Sequence, residues 1–245
     1  MSETVLRARN LHKSFGQTAA LRGVDLEVSA GEVLAVMGPS GSGKSTLLHC
    51  LAGVLTPDAG EVTCDAGPVS ALNETARARL RLTRFGFVFQ FGQLLPDISA
   101  LDNVTIPLLL AGVRRADARR IGLAWLHRFG LGDKATALPP TMSGGEAQRV
   151  AVARAMVGGP RILFADEPTG SLDSLAGEQV MTAMLEQVHE HGTTVVLITH
   201  DARIAAYADR EVIVRDGRLS PAYRTASVAA PQRPAPASAM VGAGV

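Results

Sequence analysis

Gly38, Pro39, Ser40, Gly41, Ser42, Gly43, Lys44, Ser45 and Thr46 follow one another in the spacing G-x-x-x-x-G-K-[ST]. Glycines so placed let the backbone curl until successive amides face one point, a geometry that suits phosphate oxygens. A helix opening at Lys44 adds its positive N-terminal end. The lysine supplies a point charge for the outer phosphates of a nucleotide, and the Ser45 hydroxyl is a ligand for Mg2+.

Downstream, the apolar run Ile162-Leu163-Phe164-Ala165 ends in Asp166 and Glu167. Phosphoryl transfer needs one group to hold the metal and one to act on the attacking water. Asp166 suits the first task and Glu167 the second. Alone, two acids after a strand are ordinary loop residues; beside a phosphate loop they gain a purpose. Ser143-Gly144-Gly145-Glu146-Ala147-Gln148-Arg149 forms a third segment, a hydroxyl and two glycines opening a helix. It reads as a helix cap or as an anion-binding N-terminus.

These segments need a scaffold. Short apolar runs at residues 5–10, 24–28, 32–37, 61–65, 85–89, 161–165, 194–199 and 210–215 read as strands. Helical patterns at 44–52, 71–84, 101–111, 116–129, 145–157, 175–191 and 202–208 alternate with most of them. That alternation predicts an α/β sheet. The phosphate loop falls between a buried strand and a helix, as its function requires. Asp216-Gly217 predicts a hairpin turn. The helical block at about residues 92–158 interrupts the alternation and predicts an inserted subdomain within a domain spanning 1–222. Residues 223–245, rich in Ala, Pro, Ser and Gly, predict a disordered tail, too poor in apolar side chains to offset the entropy of ordering.

Composition removes several function classes. The formal net charge is +1 over 245 residues, so the strong basic excess of a nucleic-acid binder is missing and no nucleic acid is expected. Cys50 and Cys64 show no metal-ligand spacing and are too few for a disulfide framework. They read as free thiols in a reducing compartment. The first residues lack the pattern of a secretion signal. No apolar run reaches the length of about 18 residues that spans a membrane.

Taken together and in this order, the segments resemble the nucleotide-binding subunits of ABC transporters over about residues 4–220. Ser143-Gly144-Gly145-Glu146 looks like the family's signature, with Met142 where Leu is usual. The resemblance implies a P-loop NTPase fold of ABC type, α/β, with a mixed sheet core and an inserted helical subdomain. It implies ATP and Mg2+ as ligands, with ATP hydrolysis driving transport. Gln90 matches the glutamine that touches the metal and couples the site to a membrane partner. Ser45, Gln90 and Asp166 are then the implied metal set, and Glu167, His200, Lys44 and Gln90 the implied catalytic set. His200 matches the switch histidine, Ser171-Leu172-Asp173 the loop that precedes a helix near the site, and Phe15 the aromatic that stacks on adenine. Each of Gln90, His200 and Phe15 alone also reads as an ordinary strand-end or core residue.

The resemblance further implies a homodimer, in which residues 143–146 of one copy close over ATP held by residues 38–46 of the other. An integral membrane permease would dock in a groove near residues 90–96. The protein would then sit peripherally on the cytoplasmic face of the cell membrane. The stretch at 87–96 and Glu167-Pro168-Thr169-Gly170-Ser171-Leu172-Asp173 resemble the branch of macrolide exporters, lipoprotein-release ATPases and antimicrobial-peptide resistance systems (MacB/LolD-like, with an FtsX/MacB-like permease). That branch exports or extracts lipophilic or peptide substrates. Two alternatives stay open: an FtsE-like ATPase signalling to a cell-wall hydrolase, and a soluble ABC ATPase acting on DNA or ribosomes.

Overall fold

The computed structural model describes residues 3–221. The tail expected at 223–245 and the domain end at 222 lie outside them. The chain opens with β1 (Thr4–Phe15) and β2 (Thr18–Ser29), a long antiparallel hairpin. Then come β3 (Val33–Met37), the phosphate loop, α1 (Lys44–Leu51), β4 (Ala59–Cys64) and β5 (Gly67–Pro68). α2 (Glu74–Arg84) leads into β6 (Phe85–Phe89), and α3 (Ala100–Leu110), α4 (Arg115–Arg128) and α5 (Gly144–Met156) follow. β7 (Ile162–Asp166), α6 (Ser174–His191), β8 (Thr194–Ile198), α7 (Ala202–Ala205), β9 (Arg210–Arg215) and β10 (Arg218–Pro221) complete the described chain.

The strands form two sheets. One has four strands in the order β2-β1-β4-β5, and the other six in the order β10-β9-β3-β8-β7-β6. In the second, β9, β3, β8, β7 and β6 run parallel and only β10 is antiparallel. Parallel strands buried on both faces need apolar side chains at nearly every position, and β8 has them: Val195 and Leu197 enter one core, Val196 and Ile198 the other. β7 divides likewise, with Leu163 and Ala165 on one side, Ile162 and Phe164 on the other. α1 lies between the sheets, its Leu47, Leu48 and Leu51 packed with Leu6 and Leu21 of the hairpin and Leu34 of β3. On the opposite face, Val104, Trp125, Leu126 and Val150 of α3–α5 share one core with Leu163, Leu197 and Met184.

Several boundaries differ from the sequence expectation. β1 runs five residues past the expected end at residue 10, to Phe15, and β2 starts at Thr18 rather than 24. Register pairing with β2 and β4 satisfies the backbone of polar residues that periodicity alone leaves as loop. α2 starts at Glu74, not 71, because the Asn73 side chain caps it by accepting from Ala76 N at 2.9 Å. Asp216 and Gly217, with φ of 47° and 73°, form the expected hairpin turn between β9 and β10. Both cysteines are free, and burial pushes the Cys50 thiol up to about 11.

Four carboxyls are held below their usual range: Asp58 chiefly by the Lys13 side chain, Glu74 by Arg81, Glu146 by the Ser143 amide and Asp201 by Arg203. A carboxyl depressed in the folded state adds stability that is complete above its unfolded pKa and is lost as pH falls through the lower folded value. Urea-unfolding midpoints are therefore expected to stay flat from about pH 7 to about pH 5 and to fall below about pH 4. A midpoint that rises on acidification contradicts these assignments.

Candidate functional site

The parallel strands deliver four loops to one edge of the six-stranded sheet. Asp166, the last residue of β7, is in register with Phe89 of β6 and Ile198 of β8. Gln90 therefore leaves β6, Glu167 leaves β7 and the 199–201 loop leaves β8 side by side. Val36 pairs with Ile198, so the phosphate loop leaves β3 at the same level. Ligand sites of open α/β sheets lie at this carboxyl edge.

Within the phosphate loop the glycines have different reasons. A Cβ on Gly38 would lie 2.2 Å from Val214 O, and one on Gly43 2.3 Å from Ala20 O. Gly41, at φ 75°, has nothing within 4 Å of such an atom: its freedom shapes the turn and leaves open space inside it. Gly43→Ala is expected to lower the thermal midpoint well below that of Gly41→Ala, because only the former meets backbone that must move; equal midpoints contradict this packing. α1 starts from Gly43 with no side-chain cap and no acidic residue in its first turn. Lys44, 8% exposed, donates through Nζ to Gly38 O (2.8 Å) and Pro39 O (2.9 Å). An ammonium has a third donor to spare for a ligand. The Ser42 hydroxyl is buried with no hydrogen-bond partner. An uncapped helix start, a tethered cation and an orphaned hydroxyl fit a phosphate chain.

Ser45 Oγ donates to Asp166 Oδ1 at 3.4 Å. These are hard oxygen donors suited to Mg2+, which keeps several water or phosphate ligands and needs no protein cage. Among the described residues no cluster of three or more His, Cys, Asp or Glu side chains forms such a cage. Next to them, His200 Nδ1 lies 2.6 Å from Glu167 Oε2. A carboxylate only accepts, so the ring proton is on Nδ1. Glu167 takes φ 51°, a left-handed conformation costly for a non-glycine residue. Its amide donates to Ile198 O and its carbonyl accepts from Gly170 N, each at 3.0 Å, which fixes that turn.

Gln90 is tied to the loop that follows Glu167. Ser171 Oγ donates to Gln90 O at 2.7 Å, and a Cβ on Gly170 would come within 2.8 Å of Gln90 Nε2. Three residues to which the motifs assigned no role hold the chain on either side of Gln90. Gln148 Nε2 donates to Phe89 O at 2.9 Å, and Arg154 donates to Gln93 O and Gly92 O at 2.8 and 2.7 Å. Buried Asn103 accepts from Leu95 N and donates to the carbonyls of Leu95, Ile98 and Ser99.

The structure does not bring every expected residue to this edge. Ser143 caps α5 in a reciprocal box: its Oγ accepts from Glu146 N at 3.3 Å, and Glu146 Oε2 accepts from Ser143 N at 2.9 Å. Lys134 Nζ stands 3.6 Å from Glu146 Oε1. The Glu146 carboxylate is thus engaged in its own helix cap. Ser143, Gly144 and Gly145 line a cavity of about 430 Å³ with Ser171, Leu172 and Asp173, and no residue of the phosphate loop takes part. Phe15 is not a core residue: it sits at the end of β1, 52% exposed.

Comparison with known proteins follows the same lines. The family model described as ABC transporter matches residues 21–170. The lipoprotein-releasing system ATP-binding protein LolD 2 of Caulobacter vibrioides is 46% identical over 223 residues, 89% of this chain and 98% of the relative. The uncharacterized ABC transporter ATP-binding protein YbbA of Escherichia coli is 45% identical over 222 residues, 89% of this chain and 97% of the relative. Among solved structures, a dimeric ATP-binding cassette in a post-hydrolysis state, bound to ADP and Pi, matches with a TM-score of 0.80 at 35% identity, covering 88% of this chain and 98% of that one.

Proposed function

The chain belongs to the ABC transporter family, and from that premise we propose how its residues divide the work. It is an ATP-binding, ATP-hydrolysing transport subunit. The observation that carries the assignment of roles is the meeting of Ser45, Asp166, Glu167, His200 and Gln90 at one sheet edge beside the phosphate loop.

The amides of residues 38–46 and the Lys44 ammonium bind the β- and γ-phosphates. Ser45, Asp166 and Gln90 would hold Mg2+. When bound, the metal would neutralise charge on the phosphates. Glu167 takes a proton from the attacking water. His200 orients Glu167 through its Nδ1 proton. Phe15 offers an exposed ring face to adenine.

Ser143–Glu146 complete the site from a second copy. The cavity lined by Ser143, Gly144 and Gly145 includes no residue of the phosphate loop, which supports this reading, because an isologous dimer brings each signature onto the partner's loop. Glu146 then acts by holding Ser143 rather than by touching ATP. Transport by relatives such as the lipoprotein-releasing ATP-binding proteins supports a separate permease partner, FtsX/MacB-like as in the resembled branch; among the described residues no helix is long and apolar enough to cross a membrane. A groove of about 700 Å³ lined by Phe85, Phe87, Phe89, Val54, Pro107 and Leu110, with Arg79, Arg81 and Arg154, suits a helix of that permease with an apolar face. It lies just before the expected place at 90–96, along β6 itself. The protein would thereby be held at the cytoplasmic face of the membrane, driving export or extraction of a lipophilic or peptide substrate.

The metal assignment is tested by steady-state phosphate release from ATP with the full chain. Chelation by EDTA is expected to abolish release, and re-added Mg2+ to restore it. Release that persists after chelation overturns the roles of Ser45, Asp166 and Gln90.

A further inference from the structure

Asp58 touches three successive residues at the end of β1. Its amide donates to His12 O at 2.8 Å. Its Oδ1 accepts from the Lys13 ammonium and its Oδ2 from the Ser14 amide, both at 2.7 Å. Phe15 follows immediately, and Lys13 Nζ lies over its ring, 5.8 Å from the centroid. The Lys13 side chain is only 17% exposed. Asp58 belongs to the connection between α1 and β4, and α1 begins at the phosphate loop. The aspartate therefore ties the strand end that carries the ring to the segment that carries the phosphate site. Lys13, and after it the Ser14 amide, hold the Asp58 carboxyl below its usual range, so it stays ionised at neutral pH.

We propose that Asp58, acting with Lys13, is a positioning residue for the nucleotide base: the pair fixes the Phe15 ring relative to the phosphate loop, so that adenine stacks on a ring already in place. The proposal rests on the reading of Phe15 as the base-stacking residue. An exposed aromatic at a strand end otherwise loses freedom when it binds, and that ordering cost is taken out of affinity. Three bonds from one side chain and its amide remove the cost beforehand. Lys13 occupies one face of the ring, which leaves the other for the base, and a cation over an aromatic face is attracted to it.

The test compares Asp58→Asn, Lys13→Met, Phe15→Ala and the double variant Phe15→Ala/Asp58→Asn in the full chain. Phe15→Ala is expected to raise the KM for ATP about ten-fold, the loss of one base–aromatic stack. Asp58→Asn is expected to raise it about five-fold with kcat nearly unchanged, because only part of the stack is lost. Lys13→Met shifts KM in the same direction. The double variant matches Phe15→Ala alone, since Asp58 acts through the ring. Competition by inorganic tripolyphosphate, which has no base, is unchanged in Asp58→Asn; a general loosening of the phosphate loop would weaken it. If Phe15→Ala leaves KM unaltered, the reading of Phe15 fails. If Phe15→Ala raises KM but Asp58→Asn and Lys13→Met do not, or if the double variant shows the full product of the two effects, the positioning role is overturned. Should Asp58→Asn not fold, Lys13→Met carries the same comparison.

Discussion

Replacing Glu167 with Gln is expected to reduce ATP hydrolysis by at least about 100-fold, the lower range of a general base's contribution. Glutamine keeps the shape of the side chain, and its amide oxygen can still accept from His200 Nδ1, which now lies 2.6 Å from Glu167 Oε2. What it loses is the ability to take a proton from water. The groups that bind phosphate are untouched: Lys44 stays tethered to Gly38 O and Pro39 O, and Ser45 stays beside Asp166. ATP therefore binds but is not consumed. In the proposed dimer, hydrolysis is the step that opens the closed state. The variant should accumulate as an ATP-bound dimer, seen as earlier elution in size-exclusion chromatography with ATP than without it. A Glu167→Gln protein that hydrolyses ATP at the wild-type rate removes Glu167 from the role of base.

Replacing Lys44 with Ala is expected to weaken ATP binding by about 10- to 100-fold, the value of a charge-assisted hydrogen bond lost from a site that keeps its other donors. The 8% exposure of Lys44 matters here, because a screened surface charge is worth far less. Hydrolysis should fall further still. Combined with a Ser143→Arg chain, this variant also tests the shared site. Each is expected to be inactive alone. In a mixed dimer, the Lys44 of one chain meets the Ser143 of the other, so one complete site forms and activity partly returns. Ser143→Arg also removes the cap of α5, at a cost of about 1 kcal/mol, so thermal midpoints of both variants are measured alongside. Folded variants that never regain activity on mixing contradict a site shared between two copies.

The chemistry was legible because its motifs are local. Gly38 to Thr46 encode their own turn, and the strand before them and the helix after them follow from side-chain periodicity. Ile162 to Asp166 announce a strand buried on both faces, and the pattern of Thr194 to Ile198 does the same. Asp216-Gly217 specify a hairpin because few other residue pairs accept positive φ twice in succession.

Other features had no local code. β1 runs on to Phe15 because β2 and β4 supply hydrogen bonds to its backbone, and backbone pairing carries no side-chain signature. The roles of Gln148, Arg154 and Asn103 had no local code for the same reason: their partners at the end of β6 and in the segment after it are backbone carbonyls or amides. The acid-histidine contact joins Glu167 and His200, 33 positions apart, and exists because β7 and β8 are neighbours in register.

The sequence alone thus determined that this chain belongs with proteins that bind a nucleoside triphosphate, since a phosphate loop is built from consecutive residues. Tertiary structure decided which side chains meet. Strand order placed Asp166, Glu167, Gln90 and His200 on one edge, and packing put Ser143 in a cavity with Ser171, Leu172 and Asp173 that no residue of the phosphate loop lines. Distance between segments is settled by burial of their apolar faces, and no short stretch of residues contains that information.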